Sequence, residues 1–207
     1  MSRGRFITLE GIEGAGKSTI ARFAHEWLGA RGVPSVLTRE PGGTPLAERV
    51  REIVLTPGSE VIGPQAEMLL MFAARAIHLS NLVRPALERG DWVICDRFTD
   101  ATRAYQGGGR GLPLELIDEL AATVHGNLSP DATLLLDLPV QQGLERARGR
   151  GAASDRFEQE REAFFERVRA SYLALARREP QRIHLIDATR PREAVEETVA
   201  ECLQALL

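Results

Sequence analysis

Short runs of apolar residues alternate along this chain with longer stretches in which apolar residues recur every three or four positions. A short run that is apolar on both faces is typical of a strand buried inside a sheet, whereas the longer spacing is typical of a helix. The short runs lie at residues 5–10, 35–38, 92–96, 133–138 and 182–187. The helical stretches lie at residues 17–30, 45–55, 64–89, 113–125, 139–148, 157–178 and 191–206. This alternation predicts an α/β fold in which helices cover both faces of a five-stranded parallel sheet.

The length of the chain suits one domain with a well-packed core. It has 207 residues, of which 43% are hydrophobic, enough to bury a substantial apolar interior. No repeat, linker or low-complexity tract divides the sequence, so residues 1–207 are predicted to form a single domain. Two glycine-rich segments, residues 107–111 and 149–154, are expected to be mobile loops.

Charge and cysteine usage indicate a soluble cytoplasmic protein. The formal net charge is -3, from 26 basic and 29 acidic residues, which favours neither nucleic acid nor a membrane surface as the main partner. Cys95 and Cys202 are far apart and lie among apolar neighbours, as is usual in a reducing compartment. No segment approaches 18 consecutive apolar residues, and no signal peptide is expected at the N-terminus.

The segment between the first predicted strand and the first predicted helix matches a phosphate-binding pattern: glycine, four variable residues, glycine, lysine, then serine or threonine. The residues of this loop are Gly11, Ile12, Glu13, Gly14, Ala15, Gly16, Lys17, Ser18 and Thr19. Its glycines allow successive backbone N–H groups to face one concavity at the positive end of a helix dipole, which suits a triphosphate. We expect Lys17 to contact the β and γ phosphates and the Ser18 hydroxyl to bind Mg²⁺. The alternative is a glycine-rich turn without a ligand.

A phosphate-binding loop fits both a kinase and a nucleotide-hydrolysing switch. A guanine-specific switch would carry an Asn-Lys-x-Asp element, and this tetrad does not occur in the chain. Asp96 and Arg97 end the third apolar run, where a carboxylate can hold Mg²⁺ and a guanidinium can bind phosphate. Thr102, Tyr105 and Gln106 follow with groups that suit a sugar and a base edge. The alternative for Asp96 and Arg97 is an ordinary ion pair.

Phe72 and Arg75 are three residues apart in a predicted helix and therefore share a face. A ring that stacks on a base, beside a guanidinium that donates to its carbonyl, would suit base recognition. The residues alone favour the alternative, in which Phe72 lies in the core and Arg75 on a solvated edge.

The segments LEGIEGAGKST, TREPGGT, FAAR, DRFTDATRAYQGGGRG and DRFE occur in the order and at roughly the spacing found in bacterial thymidylate kinases. The likeness covers essentially the whole chain. The resemblance implies a P-loop NTPase fold and the transfer of a phosphoryl group from ATP to dTMP with Mg²⁺. It reverses the preference above and implies that Phe72 and Arg75 contact thymine, while Arg97 holds the acceptor phosphate beside Asp96. It further implies an acceptor site that includes Arg51, Thr102, Tyr105 and Gln106.

The resemblance also concerns the lid, residues 149–156. Eukaryotic relatives carry an arginine where this chain has Gly14, whereas here basic residues crowd the lid and the helix before it. We therefore expect a lid arginine to contact the transferring phosphoryl group on closure. The candidates, in order of expectation, are Arg150, Arg156, Arg148 and Arg146, the last nearer the adenine. The alternative is a solvated lid that only covers the site.

No general base is expected, because a phosphate acceptor is already anionic at neutral pH. The four histidines are expected to be structural and to form no cluster with carboxylates: His25, His78, His125 and His184. The alternative enzyme is a deoxynucleoside kinase, which would need a base near the sugar hydroxyl, and Glu40 is the candidate for it. The resemblance places adenine near residues 188–190.

A homodimer is predicted from the helical stretch at residues 64–83. Its central turns leave little polar face, which suggests burial on more than one side. The family that the chain resembles also dimerises through helices of this region. The alternative is a helix that its own chain surrounds completely.

Overall fold

Five parallel strands form one sheet in the order β2-β3-β1-β4-β5. The computed structural model describes residues 3–149, 156–157 and 160–207. The strands are β1 Phe6–Glu10, β2 Ser35–Arg39, β3 Trp92–Asp96, β4 Ala132–Asp137 and β5 Ile183–Asp187. The predicted five-stranded parallel sheet is confirmed, and each predicted run ends within one residue of the observed strand.

Helices follow the strands and cover both faces of the sheet. They are α1 Lys17–Gly29, α2 Pro45–Leu55, α3 Pro64–His78, α4 Arg84–Glu88, α5 Thr99–Thr102, α6 Leu114–His125, α7 Val140–Arg148, α8 Glu162–Arg178 and α9 Arg192–Gln204. A π-helical turn at Leu79–Val83 joins α3 to α4, and a second one at Arg103–Gly109 extends α5. The pattern of apolar residues does not predict α5, and it places the start of α8 five residues too early, at residue 157 instead of Glu162.

Alternate residues of β3 enter two different apolar clusters. Trp92 and Ile94 belong to the larger cluster, whereas Val93 and Cys95 belong to a second one. Because successive side chains of a strand point to opposite faces, the two clusters lie on opposite sides of the sheet. A central strand that is apolar on both faces shows no alternation of polar and apolar residues, which explains the continuous runs in the sequence.

The carboxyl ends of β1 and β3 lie side by side and position the loops that follow them. Leu9 pairs with Asp96 across the two strands, and the backbone N–H of Arg97 donates to the carbonyl of Leu9 at 2.9 Å. Arg97 has a φ of 74°, in the left-handed region that a residue with a long side chain seldom adopts. The phosphate-binding loop and the segment after Asp96 therefore leave the sheet at the same edge.

The expectation that residues 107–111 form a mobile loop is wrong for the glycines of the second π-helical turn, which pack closely against α6 and α8. A Cβ atom on Gly108 would lie 2.6 Å from the Cβ of Ser171, and one on Gly109 would lie 2.5 Å from the ring of Phe164. These glycines permit close approach of two helical segments and do not mark a flexible loop. The other predicted mobile loop, residues 149–154, lies beyond Gly149 outside the described residues.

One helical segment in the described part of the chain, Pro64–Glu88, is long and apolar enough to cross a membrane by length and composition. Within its most apolar window, 44% of the residues are buried inside the protein. A core helix of a soluble protein passes the same test, so the segment is weak evidence for a membrane span.

Candidate active site

Lys17 lies at the first position of α1 and closes over the phosphate-binding loop. Its Nζ donates to the carbonyl oxygens of Gly11 at 3.0 Å and Ile12 at 2.9 Å. Burial, and after it the charge of Arg97, lowers the pKa of Lys17 to about 8. An ammonium group that is withdrawn from water and held by carbonyls is ready to exchange them for phosphate oxygens.

Two glycines of the loop are required for different physical reasons. Gly14 has a φ of +74°, and a Cβ there would lie 1.9 Å from the carbonyl oxygen of Gly143 in α7. Gly16 precedes α1 with a φ of +92°, and a Cβ there would meet no atom within 4 Å. A side chain at position 14 therefore does not fit this backbone unless α7 moves.

Ser18 and Asp96 come together beside the loop. The Ser18 hydroxyl donates to the Asp96 carboxylate at 2.8 Å. Ser18 comes from the first turn of α1, which follows β1, and Asp96 comes from the end of β3, so a helix and a strand supply the pair. Hydroxyl and carboxylate oxygens are ligands that Mg²⁺ prefers, and the two residues predicted to bind the metal therefore have a compatible arrangement.

Arg97 is held by the carboxylate of Glu13 and by two tyrosines. Its Nη2 donates to Glu13 and to the Tyr105 hydroxyl, both at 2.9 Å, and its Nη1 donates to the Tyr172 hydroxyl at 3.3 Å. Burial acts to lower the pKa of Arg97, but Tyr105 and Glu13 outweigh it and raise the pKa well above its ordinary value. Tyr172 lies in α8, and no local sequence signal identified it as a neighbour of this arginine.

Glu10 supports Arg97 indirectly, through the hydroxyl of Tyr172. Its carboxylate accepts hydrogen bonds at 2.7 Å from the Tyr172 hydroxyl and from the backbone N–H of Phe98. Burial, and after it the charge of Asp100, raises the pKa of Glu10 to about 7. Glu10 was not among the site residues predicted from the sequence. A carboxylate at the end of a mostly apolar strand is the signal that could have indicated it.

Arg75 is a buried member of the site. Its Nε donates to Glu40 at 2.7 Å and its Nη2 donates to the Thr102 hydroxyl at 3.1 Å. Among the described residues its Nη1 is buried without a hydrogen-bond partner. A buried donor without a partner is costly, so Nη1 is available to an acceptor on a ligand. The alternative that places Arg75 on a solvated edge is wrong.

His78 contradicts the expectation that the histidines avoid carboxylates. Its Nδ1 contacts Glu40 at 3.0 Å and its Nε2 contacts the Thr38 hydroxyl at 2.8 Å. Burial acts to raise the pKa of Glu40, but Arg75 and His78 outweigh it and hold the pKa below the ordinary value. Glu40 is therefore a structural carboxylate that fixes Arg75.

Phe72 lies in the interior of the protein, which differs from its predicted position at the base. It is 2% exposed and packs with Met68, Ile117 and Ala121. The centre of its ring lies 4.9 Å from the guanidinium carbon of Arg75, so the ring supports the arginine. Phe72 is not among the described residues that line the central cavity, and its predicted stacking on a base is not supported by this placement.

One cavity of about 250 Å³ joins the phosphate-binding loop to the predicted acceptor residues. The loop contributes Glu13, Gly14, Gly16, Lys17, Ser18 and Thr19 to its lining. The predicted acceptor residues that line it are Arg51, Arg75, Arg97, Thr102, Tyr105 and Gln106. Met71 also lines the cavity, on the helix where Phe72 was expected to do so. Groups that suit a triphosphate and groups that suit a base therefore share one space.

Comparison with known proteins identifies the family. A family model described as thymidylate kinase matches residues 9–199. The chain belongs to the thymidylate kinase family. It is 58% identical over 203 residues to a thymidylate kinase of Alkalilimnicola ehrlichii, covering 98% of this chain and 94% of that protein. It is 59% identical over 202 residues to one of Pseudomonas putida, covering 98% and 97%. The crystal structure of thymidylate kinase from Ehrlichia chaffeensis matches with a TM-score of 0.78 at 34% identity, covering 98% and 99%.

A second cleft in this thymidylate kinase family member lies beside the phosphate-binding loop. It is lined by residues of the loop and α1, by Arg146, and by residues 188–192. The Nη1 of Arg146 donates to the carbonyl oxygen of Ala188 at 2.9 Å. Arg146 and the loop at residues 188–190, both expected near adenine, therefore lie together.

Arg156 lies away from the phosphate-binding loop. Its Nε donates to the carbonyl oxygen of Val54 at 2.9 Å, and its Nη2 donates to Glu67 at 2.5 Å. Its backbone N–H donates to the carbonyl oxygen of Leu55 at 3.0 Å. In this arrangement α2 and α3 hold the guanidinium, in contrast to the predicted contact with the transferring phosphoryl group. The other arginine predicted to contact the transferring group, Arg150, lies outside the described residues.

Proposed function

We propose that this chain transfers the γ-phosphoryl group of ATP to the phosphate of dTMP and releases dTDP. Membership of the thymidylate kinase family supports the reaction. The observation that carries the proposal is the single cavity lined both by the phosphate-binding loop and by Arg75. ATP phosphates at Lys17 and a base at Arg75 would place the acceptor phosphate between them, beside Arg97.

Arg97 would bind the acceptor phosphate in place of the Glu13 carboxylate. Glu13, which it contacts at 2.9 Å, lines the cavity and is accessible to an incoming ligand. The acceptor oxygen is anionic at neutral pH and needs no base. Catalysis then comes from in-line positioning and from the charges of Lys17 and Arg97. The deoxynucleoside kinase alternative loses its candidate base, because Glu40 is occupied by Arg75 and His78.

Mg²⁺ fits the pair formed by Ser18 and Asp96, because both offer oxygen atoms and they lie 2.8 Å apart. When bound, the ion supplies positive charge to the donor phosphates. We propose in addition that Arg150 or Arg156 contacts the transferring group. For Arg156 this requires the guanidinium to leave Glu67, which it contacts at 2.5 Å.

The test is an ADP-release assay with dTMP, dUMP, dCMP, dGMP, AMP and thymidine as acceptors, with Mg²⁺ and with excess chelator. We expect the highest kcat/KM with dTMP and loss of turnover with chelator. Lys17→Met, prepared in parallel, controls for contaminating activity because it removes the charge at the donor phosphates. Faster turnover of thymidine than of dTMP would overturn the proposal in favour of a nucleoside kinase.

We also propose that the protein is a homodimer that associates through α2 and α3. Leu46 and Ile53 on α2 are 52% and 57% exposed, and Leu69 on α3 is 53% exposed. Exposed apolar side chains on two adjacent helices suit the same surface of a second copy. Light scattering should give the dimer mass for the wild type and a monomer mass for Leu69→Glu. A monomeric wild type at micromolar concentration would contradict the proposal.

The remaining parts of the proposal concern organisation and location. Residues 1–207 act as one kinase domain with a lid at about residues 149–156. The partners are ATP and dTMP, with neither nucleic acid nor a membrane among them, and the protein works in the cytoplasm. The net charge of -3 and the buried environment of Cys95 support this placement.

A further inference from the structure

We propose that Glu67 is a positioning residue for base selection. It fixes the side-chain amide of Gln106 so that the amide oxygen of Gln106 is available to the base. The proposal rests on the proposed function and identifies how that site distinguishes bases. Glu67 lies on α3, about two turns before Arg75, and its side chain is fully buried. Neither the phosphate-binding pattern nor the acceptor residues predicted from the sequence include it.

The hydrogen bonds of Glu67 show that its carboxylate only accepts. Its Oε1 accepts from Gln106 Nε2 at 2.7 Å and from Arg110 Nε at 3.2 Å. Its Oε2 accepts from Arg110 Nη2 at 3.1 Å and from Arg156 Nη2 at 2.5 Å. Two carboxylate oxygens offer about four lone-pair positions, and these four donors fill them. In the described structure these side-chain hydrogen bonds are all ones that Glu67 accepts.

This arrangement fixes which end of the Gln106 amide faces the carboxylate. The reversed amide would place its oxygen 2.7 Å from a carboxylate oxygen, and two acceptors at that distance in a buried site repel each other. The NH₂ group therefore faces Glu67. Gln106 also lines the central cavity, so the amide oxygen is the polar atom that it can offer to a ligand there.

The oxygen of Gln106 complements the free donor of Arg75. Arg75 lines the same cavity, and its Nη1 is buried without a partner among the described residues. Its Nη2 contacts Thr102 at 3.1 Å, and Gln106 lies four residues later in the same helical segment. A donor beside an acceptor matches a base edge with a carbonyl next to a ring N–H, as in thymine and uracil. Cytosine presents an amino group and an unprotonated ring nitrogen and would meet like groups.

Glu67 forms ion pairs with two arginines that belong to other segments. Arg110 follows the second π-helical turn, and Arg156 belongs to the segment between α7 and α8. Arg110 also forms an ion pair with Glu160. Glu160 does not contact Gln106 in the described structure, and it provides a matched control that alters the Arg110 network but leaves the amide bound to Glu67.

The test compares Glu67→Gln with Glu160→Gln. A glutamine at position 67 can donate as well as accept, which allows the Gln106 amide to reverse. We expect the ratio of kcat/KM for dTMP over dCMP to fall at least about tenfold in Glu67→Gln, as for one mismatched buried hydrogen bond. The KM for dTMP should rise while the KM for ATP stays within twofold. Glu160→Gln should keep the wild-type ratio.

The outcomes separate this proposal from the proposed function. A wild type that shows no preference for dTMP over dCMP contradicts the proposed function itself. A selective wild type with an equally selective Glu67→Gln variant, even one with a lower melting temperature, shows a merely structural role and overturns the inference. If Glu67→Gln does not fold, Gln106→Ala decides: the loss of the oxygen should reduce the ratio about tenfold, and an unchanged ratio overturns the inference.

Discussion

Replacement of Arg75 should separate its buried ion pair with Glu40 from its proposed contact with the acceptor. In Arg75→Ala the carboxylate of Glu40 loses an ion pair in which both side chains are only 3% exposed. Removal of one partner from a buried pair costs about 3 to 5 kcal/mol. His78 remains as a partner of Glu40, so we expect the free energy of unfolding to decrease by a value near the lower end of that range.

The second role concerns the acceptor and has its own magnitude. The Nη1 of Arg75 has no partner among the described residues, so a base carbonyl gains a hydrogen bond to a charged donor without displacing an existing one. Such a bond is worth about 1.5 to 3 kcal/mol, which is roughly a tenfold to hundredfold loss of kcat/KM for dTMP. The KM for ATP should not change, because Lys17 and its loop are intact.

Arg75→Lys tests whether the two roles are distinct. Lysine keeps a positive charge for Glu40 but lacks the planar fork that serves Glu40, Thr102 and a ligand together. We expect this variant to retain most of the stability and still to lose affinity for dTMP. Arg182→Ala is the control, because it breaks a largely buried pair with Asp100 outside the residues that line the cavity.

The assays are urea unfolding and ADP release at varied dTMP and varied ATP. Arg182→Ala should be less stable with an unchanged KM for dTMP. Equal increases in the two KM values of Arg75→Ala would refute the assignment of Arg75 to the acceptor. A wild-type KM for dTMP in Arg75→Lys would refute the role of Nη1.

Three further predictions follow from the same structure. Gly14→Ala should lose ATP turnover and melt at a lower temperature, because its Cβ would lie 1.9 Å from the Gly143 carbonyl oxygen. The control Gly29→Ala should change neither property, because its new Cβ would have nothing within 4 Å. Normal turnover of Gly14→Ala would contradict the reasoning. Burial, and after it Arg75, lowers the pKa of His125 to about 4, so the unfolded chain takes up this proton first as the pH falls below about 6.5. The free energy of unfolding should then decrease by up to about 3 kcal/mol between pH 6.5 and 4. Urea unfolding of His125→Gln should show a correspondingly weaker dependence of this free energy on pH. An equal pH dependence in the wild type and the variant would contradict the prediction. Ser18→Ala should require more Mg²⁺ for half-maximal ADP release, and an unchanged requirement would remove Ser18 from the proposed metal site.

The central strands of the sheet could be predicted because they are buried on both faces. A strand such as β1, in which every residue is buried, leaves a continuous apolar run that needs no knowledge of its neighbours. The segment of α5 and its π-helical turn lacked such a signal, because its buried positions include Thr102 and Gln106, which are polar. Gly108 and Gly109 misled for a related reason, since their close packing against α8 depends on residues more than fifty positions away.

The predicted site residues divide in the same way. The phosphate-binding loop is a local motif, and its residues lie together because they are adjacent in the chain. Phe72 shows the limit of local spacing: it shares a helix face with Arg75, yet α6 packs against that face and encloses the ring. Glu67, Glu10 and Tyr172 support the site from separate helices and strands, and only the tertiary structure brings them to Gln106 and Arg97.

The carboxylates around the cavity explain why two arginines in one site can serve opposite kinds of ligand group. Glu40 is buried beside Arg75 and neutralises its charge permanently, so the spare Nη1 suits a neutral carbonyl and would not require a charged ligand. Glu13 contacts Arg97 from the wall of the cavity, where an incoming phosphate can replace it. Both carboxylates line the cavity, but the Glu40 side chain is 3% exposed and the Glu13 side chain 12% exposed. This difference supports the proposal that Arg75 binds the base and Arg97 the phosphate.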